Sequence, residues 1–210
     1  MRVLWPIAAV AGGIATAAVL AMADVPRDDV VHASFRFDQV SFSSPVLGGA
    51  LTPADLARVE SVARAELAAA FQGLRIAITD RRDTRYHVRV VQELDDSPLT
   101  RPTWVAGSSH AVPGYGGSGA VNFTYFASGA LVFAPPQASR SELIDAIGRG
   151  IGRGAAHEFA HQLLGAAIHA TNDRGSYEYH AASRPQQYYG PMHWDVAGSL
   201  LAKKFGTSDH

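Results

Sequence analysis

Residues 139–165 read SRSELIDAIGRGIGRGAAHEFAHQLLG, and the reading of this stretch decides the rest. Ser139 followed three residues later by Glu142 forms a capping box, in which hydroxyl and carboxylate satisfy the free amides of a helix start. Leu143, Ile144, Ile147, Ile151, Ala155 and Phe159 then recur at helical spacing, and Gly165 offers a left-handed stop. On that helix His157 and His161 lie one turn apart on one face, so two imidazoles can reach one metal ion. Glu158 points beside such an ion rather than at it, where it can take a proton from water and later return it to a leaving amine. Gly148, Gly150, Gly152 and Gly154 each cost the helix about 1 kcal/mol relative to alanine. They make sense if the helix lies close against a sheet; a kinked or broken helix is the alternative.

Composition limits what surrounds this helix. A chain of 210 residues, 47% apolar and 18% charged, suits one globular domain with a substantial core. The net charge of −1 gives no electrostatic case for nucleic acid as a partner. Cysteine is absent, so disulfides, thiolate ligands and a thiol nucleophile are excluded, and a metal must be held by His, Asp or Glu. Arg2 precedes an apolar run over residues 3–23 that ends in the small-x-small triplet Ala21-Met22-Ala23. That pattern is read as a signal peptide over residues 1–23, with an uncleaved membrane anchor as the alternative, and residues 24–210 as an exported (periplasmic or secreted) domain.

Before the helix, residues 31–40 alternate as a half-buried strand does. Thr52-Pro53 caps a helix whose apolar stripe runs through Leu56, Val59, Val62, Ala63, Leu67 and Phe71 to a stop at Gly73. Residues 74–78 and 86–91 read as strands joined by a charged turn. Residues 95–119 read as one long Gly-, Pro- and Ser-rich loop, in which His110 and Asp95-Asp96 could hold a structural ion or simply face water. Residues 121–126 and 130–134 read as two more strands.

Two helical histidines leave zinc short of a third protein ligand, and His169 lies beyond the Gly165 stop. The run His157-Glu158-Phe159-Ala160-His161, Gly165 and His169 resembles the HExxHxxGxxH motif of the metzincin zinc peptidases. Gly165 falls one place late, Ala167 stands at the usual third-histidine position, and His169 is two places late. Asp173 and Glu178 are the alternative third ligands, with His180 less favoured. Downstream, Tyr188-Tyr189-Gly190-Pro191-Met192-His193-Trp194 is similar to the methionine turn that metzincins place beneath zinc. Residues 195–206 resemble the closing helix of the matrixin branch. The resemblance implies an α+β fold: a single zincin-like domain, with a mixed twisted sheet, an HExxH helix, a methionine turn and a C-terminal helix.

It also implies a zinc endopeptidase with His157, His161 and His169 as ligands, Glu158 as catalytic base, and Gly165 and Met192 as structural support. Residues 121–126 would be the strand that pairs with an extended peptide or protein substrate. Tyr177, Tyr179, Tyr188 or Tyr189 could assist a tetrahedral intermediate, although an interior or surface role suits each. The alternative function is a zinc-binding, non-catalytic envelope or binding protein on the same frame. A third reading is a structural domain in which the motif is accidental.

Overall fold

The strand over Val31–Phe37 lies inside the main sheet, with Ala33, Ser34 and Phe35 all buried. It belongs to a computed structural model that describes residues 29–94, 105–112, 114–169, 171–181 and 184–208. The apolar run over residues 3–23 and the Asp95-Asp96 pair lie outside the described residues. In chain order the elements are β1 (Val31–Phe37), β2 (Ser43–Ser44), a 3-10 turn (Pro45–Leu47), β3 (Gly49–Ala50), α1 (Pro53–Ala70), β4 (Ile76–Thr79) and β5 (Tyr86–Val91). There follow β6 (Gly107–Val112), β7 (Gly116–Asn122), α2 (Phe123–Val132), α3 (Arg140–Leu164), α4 (Gln186–Tyr189) and α5 (Val196–Phe205). The result is one α+β domain with a mixed sheet. Among the described residues no helix is long and apolar enough to cross a membrane.

Five strands form the main sheet in the order β4-β1-β5-β7-β6. β1 runs parallel to β4 and β5, and β5 parallel to β7, while β6 returns antiparallel along the edge. The strands at residues 74–78 and 86–91 are therefore not hairpin partners, because β1 lies between them. Parallel neighbours need a crossover, and α1 supplies one between β1 and β4. Its capping box at Thr52 closes through Asp55, whose carboxylate accepts from Thr52 N at 2.8 Å.

The loop expected over residues 95–119 contains β6 and the start of β7. Gly116, Gly117 and Gly119 weaken the strand signal in the sequence, yet each lies where a neighbour presses close. A Cβ on Gly117 would meet Gln162 Cγ at 2.6 Å, and one on Gly119 would meet Ser108 O at 2.6 Å. The two strands expected over residues 121–126 and 130–134 are corrected as well. β7 ends at Asn122, whose side chain accepts from Tyr125 N at 3.0 Å and so starts α2. Phe123, Phe126, Ala127 and Ala130 are buried, the i, i+3, i+4, i+7 stripe of a helix. A helical stripe this short also passes for a strand made of aromatic and small residues.

α3 is continuous over 25 residues, with the expected Ser139–Glu142 capping box at its start. It packs against α1 on one side and against β6, β7 and α2 on others. The close neighbour of its glycines is mainly another helix, not the sheet. A Cβ on Gly148 would meet Val59 O at 2.7 Å, and one on Gly152 would meet Ala63 O at 2.4 Å, both on the backbone of α1. Gly150 and Gly154 face Tyr188 and Phe126 at 2.6 and 2.4 Å. Arg153, 7% exposed, ties three segments together: it bonds Glu66 of α1 at 2.9 Å and the carbonyls of Gln186 and Gly190 at 2.8 and 2.9 Å. The helix that carries the histidines is thus clamped along its length.

Gly152→Ala tests this contact. Alanine favours an isolated helix by about 1 kcal/mol, but here the added methyl runs into a backbone carbonyl that cannot rotate away. Urea unfolding should show a net loss of about 1–3 kcal/mol. An unchanged or raised midpoint would contradict the close α1–α3 packing.

Candidate metal centre

The last turns of α3 bring His157 and His161 to one face, as their spacing requires. Gly165 then takes a left-handed conformation, φ 68°, and its amide donates to His161 O at 2.9 Å. The chain folds back over the helix end, which returns His169 to the same face. His157 Nε2 lies 2.9 Å from His161 Nε2 and 3.2 Å from His169 Nε2. The ligand atoms of all three residues fall within 4.8 Å of one another, and the group could hold a metal ion.

Two contacts aim these nitrogens. His157 Nδ1 pairs with the carbonyl of Tyr177 at 2.6 Å, and His161 Nδ1 with the carbonyl of Ala166 at 3.1 Å. A carbonyl can only accept, so His157 Nδ1 carries the proton and its Nε2 keeps a lone pair, whereas His161 Nδ1 faces both the Ala166 carbonyl and, at 3.4 Å, the Ile168 amide. The lone pair of His157 Nε2 thus faces the Nε2 atoms of His161 and His169 at 2.9 and 3.2 Å, a place where a cation could be shared. A tetrahedral ion with about 2.0–2.1 Å metal–nitrogen bonds would set such nitrogens about 3.3–3.4 Å apart. The separations from His157 are somewhat shorter than that, and the three donors are suited to hold a metal ion.

Burial and the neighbouring imidazoles push the His157 pKa down to about 3. Burial also lowers those of His161 and His169. All three are held in the neutral, metal-binding form. Glu158 is 7% exposed, and burial lifts its carboxyl to about 7. Its carboxylate lies over Gly107 of the edge strand, where a Cβ would come within 2.4 Å of Glu158 Oε1. The three histidines and Glu158 line one cavity of about 570 Å³, together with Gly107, Tyr177, Tyr179, His180, Arg153 and Arg184.

Both alternative ligands are engaged elsewhere. Asp173 pairs with His193 at 3.0 Å and accepts from Gly175 N at 2.7 Å. Glu178 is 1% exposed, and its Oε1 accepts from Asp195 N at 2.9 Å and Ala197 N at 2.6 Å. It caps α5 in place of Asp195, whose own side chain makes no capping bond. His180 lines the cavity but stands outside the converging group.

The methionine segment joins the site through backbone. His193 pairs with residues 175–177: its amide donates to Gly175 O at 3.0 Å, and Tyr177 N donates to His193 O at 2.9 Å. Met192 packs against the core next to this pairing, so the segment supports the loop whose Tyr177 carbonyl orients His157. Trp194 lies against Phe71 and Tyr177 and donates to Ala70 O. Tyr188 is fully buried among Phe126, Phe133 and Gly150, an interior role.

Gln162 had no part in the sequence reading. Its amide pairs with the backbone of His87 in β5, at 3.1 Å to the N–H and 3.0 Å to the carbonyl, and so locks the histidine turn to the sheet. A polar residue between His161 and Leu163 on a largely buried helix was the available signal. The orienting carbonyls of Tyr177 and Ala166 leave no trace in residue type. No family model matches the chain, and no curated protein matches it.

His169→Ala should weaken zinc or cobalt binding by at least the roughly 10–100-fold that loss of an outer-sphere partner costs. Asp173→Asn should leave binding within about threefold, well inside that range. Glu178→Ala should lower stability by at least about 1–2 kcal/mol through the lost cap, while the folded protein keeps its metal. Calorimetric titration decides. Metal loss in Asp173→Asn with retention in His169→Ala would reverse the ligand assignment.

Proposed function

We propose that the chain is an exported zinc-dependent endopeptidase with a metzincin-like, zincin-type domain. One observation carries this reading: three neutral imidazoles converge on a single point in a cleft that also holds a buried carboxyl one residue from the first of them. Nitrogen donors without thiolate suit zinc, although imidazole sets also take copper, nickel or iron. Three protein ligands match the open coordination of catalytic rather than structural zinc sites. Export, or anchorage by the same segment, is proposed from the apolar run over residues 3–23.

Zinc held there would polarise a substrate carbonyl and make water acidic enough to ionise near neutral pH. The protein's own contributions follow from its geometry. Glu158, with its carboxyl lifted to about 7, is suited both to take a proton from the attacking water and to give it to the leaving amine. His157 and His161 stay fixed because the Tyr177 and Ala166 carbonyls hold their outer nitrogens.

The substrate-pairing strand shifts from the expected residues 121–126 to β6. β7 is interior to the sheet, and residues 123–126 are helical. β6 is the antiparallel edge, bonded to β7 on one side with no partner on the other among the described residues. Gly107, Ser108 and Ser109 of β6 line the cleft, so an extended peptide added to this edge would cross in front of the three histidines.

Glu158→Gln preserves shape and removes the base. Cleavage of a denatured protein substrate should fall by about 10²–10⁴-fold at unchanged metal content. Cleavage at the unmutated rate would refute the role of Glu158. Metal-loaded parent protein that cuts no member of a broad peptide library would favour the non-catalytic binding function.

A further inference from the structure

Arg184 is a buried cation with no counter-ion among the described residues. It is 3% exposed and lines the cavity that holds the three histidines and Glu158. Its Nε donates to Arg174 O at 2.7 Å, its Nη2 to Ser176 O at 2.9 Å and its Nη1 to Ala181 O. The Tyr179 ring lies 5.0 Å from its Cζ. Every partner is neutral, and among the described residues no carboxylate pairs with it. The contrast is Arg153, which lines the same cavity but is matched by Glu66 at 2.9 Å.

A guanidinium taken out of water without an opposite charge is costly, and carbonyl dipoles offset only part of that cost. Burial lowers the Arg184 pKa to about 10, which still leaves a full positive charge at neutral pH. The three carbonyls occupy three of its five N–H groups and leave two. Planar guanidinium geometry suits a carboxylate, whose two oxygens can each accept one bond. Val105, Val121 and Phe126 line the cavity as well, giving a hydrocarbon stem apolar surface to lie against. The volume of about 570 Å³ is that of a pocket that encloses a side chain or a small ligand.

We infer that the cleft beside the histidines is a carboxylate-recognising subsite, with Arg184 as the cation that reads the substrate's negative charge. As a substrate subsite it rests on the peptidase reading. The carboxylate has two sources: an acidic side chain near the bond to be cut, or the free C-terminus of a peptide.

The test uses the zinc-loaded full chain and fluorescent peptides that differ only in charge. In one set a single Glu is moved through successive positions with the C-terminus amidated. The second set replaces Glu with Gln, and the third keeps Gln but frees the C-terminus. Affinity is read on Glu158→Gln protein, so no turnover is required, and cleavage rates are read on the parent. Peptides with a correctly placed carboxylate should bind about 10–150-fold more tightly than their neutral isosteres, the range of a charge-assisted hydrogen bond. The set that gains identifies the source as side chain or terminus. Adding Arg184→Gln to that binding protein should collapse the ratio towards one, and Arg184→Lys should keep part of it, with metal content measured as a check on folding. The isostere comparison needs no change at Arg184, so it decides even if those variants misfold. Equal affinity for charged and neutral peptides at every position would overturn the subsite. Cleavage without charge preference would overturn the subsite and leave the peptidase reading standing. Charge-selective binding without any cleavage would support the subsite and sink the peptidase reading.

Discussion

Imidazole nitrogens with free lone pairs do not gather on their own. Here His157 Nε2 faces those of His161 and His169 at 2.9 and 3.2 Å, in surroundings that favour the uncharged form of all three rings. Only a rigid frame can hold such groups at that separation, and much of the fold serves as that frame. α3 supplies two histidines at fixed pitch. Left-handed Gly165 turns the chain back to supply the third. Gln162 fastens the helix end to β5, and Lys204 of α5 donates to Leu163 O at 2.6 Å beside it.

The segment over residues 171–181 connects the site to the rest of the molecule. Its Tyr177 carbonyl orients His157, its Ser176 and Tyr177 pair with His193, and its Glu178 caps α5. Arg184 gathers three carbonyls of the same segment and so closes it into a defined shape. A disturbance of the Met192 segment or of α5 would therefore reach the histidines through backbone hydrogen bonds. The glycines of α3 play the corresponding part on its far side, where α1 approaches too closely for any side chain.

The site was legible because its information is local. Helical pitch fixes His157, Glu158 and His161, and one glycine stop followed by a short return leaves few places for His169 other than the same face. Capping boxes at Thr52 and Ser139 were equally readable, since donor and acceptor lie three residues apart. What escaped was decided across the sheet. α2 was mistaken for strands because its buried stripe of Phe123, Phe126, Ala127 and Ala130 is short and aromatic, and because the Asn122 cap carries little weight by itself. β6 and β7 hid inside a glycine- and serine-rich stretch, where the glycines mark close approach by Gln162 and by strand backbone. Glu178 looked like a metal ligand for the same reason that it is a good cap: both tasks call for a buried carboxylate, and sequence does not say which partner it meets.

X-ray absorption at the zinc edge of the metal-loaded protein measures the central claim directly, because it counts the ligands and identifies them. The account predicts three imidazoles at about 2.0–2.1 Å and a fourth, light-atom position open to exchange. Two imidazoles with a protein carboxylate in the first sphere, or a six-coordinate aquo ion held by one histidine, would contradict it.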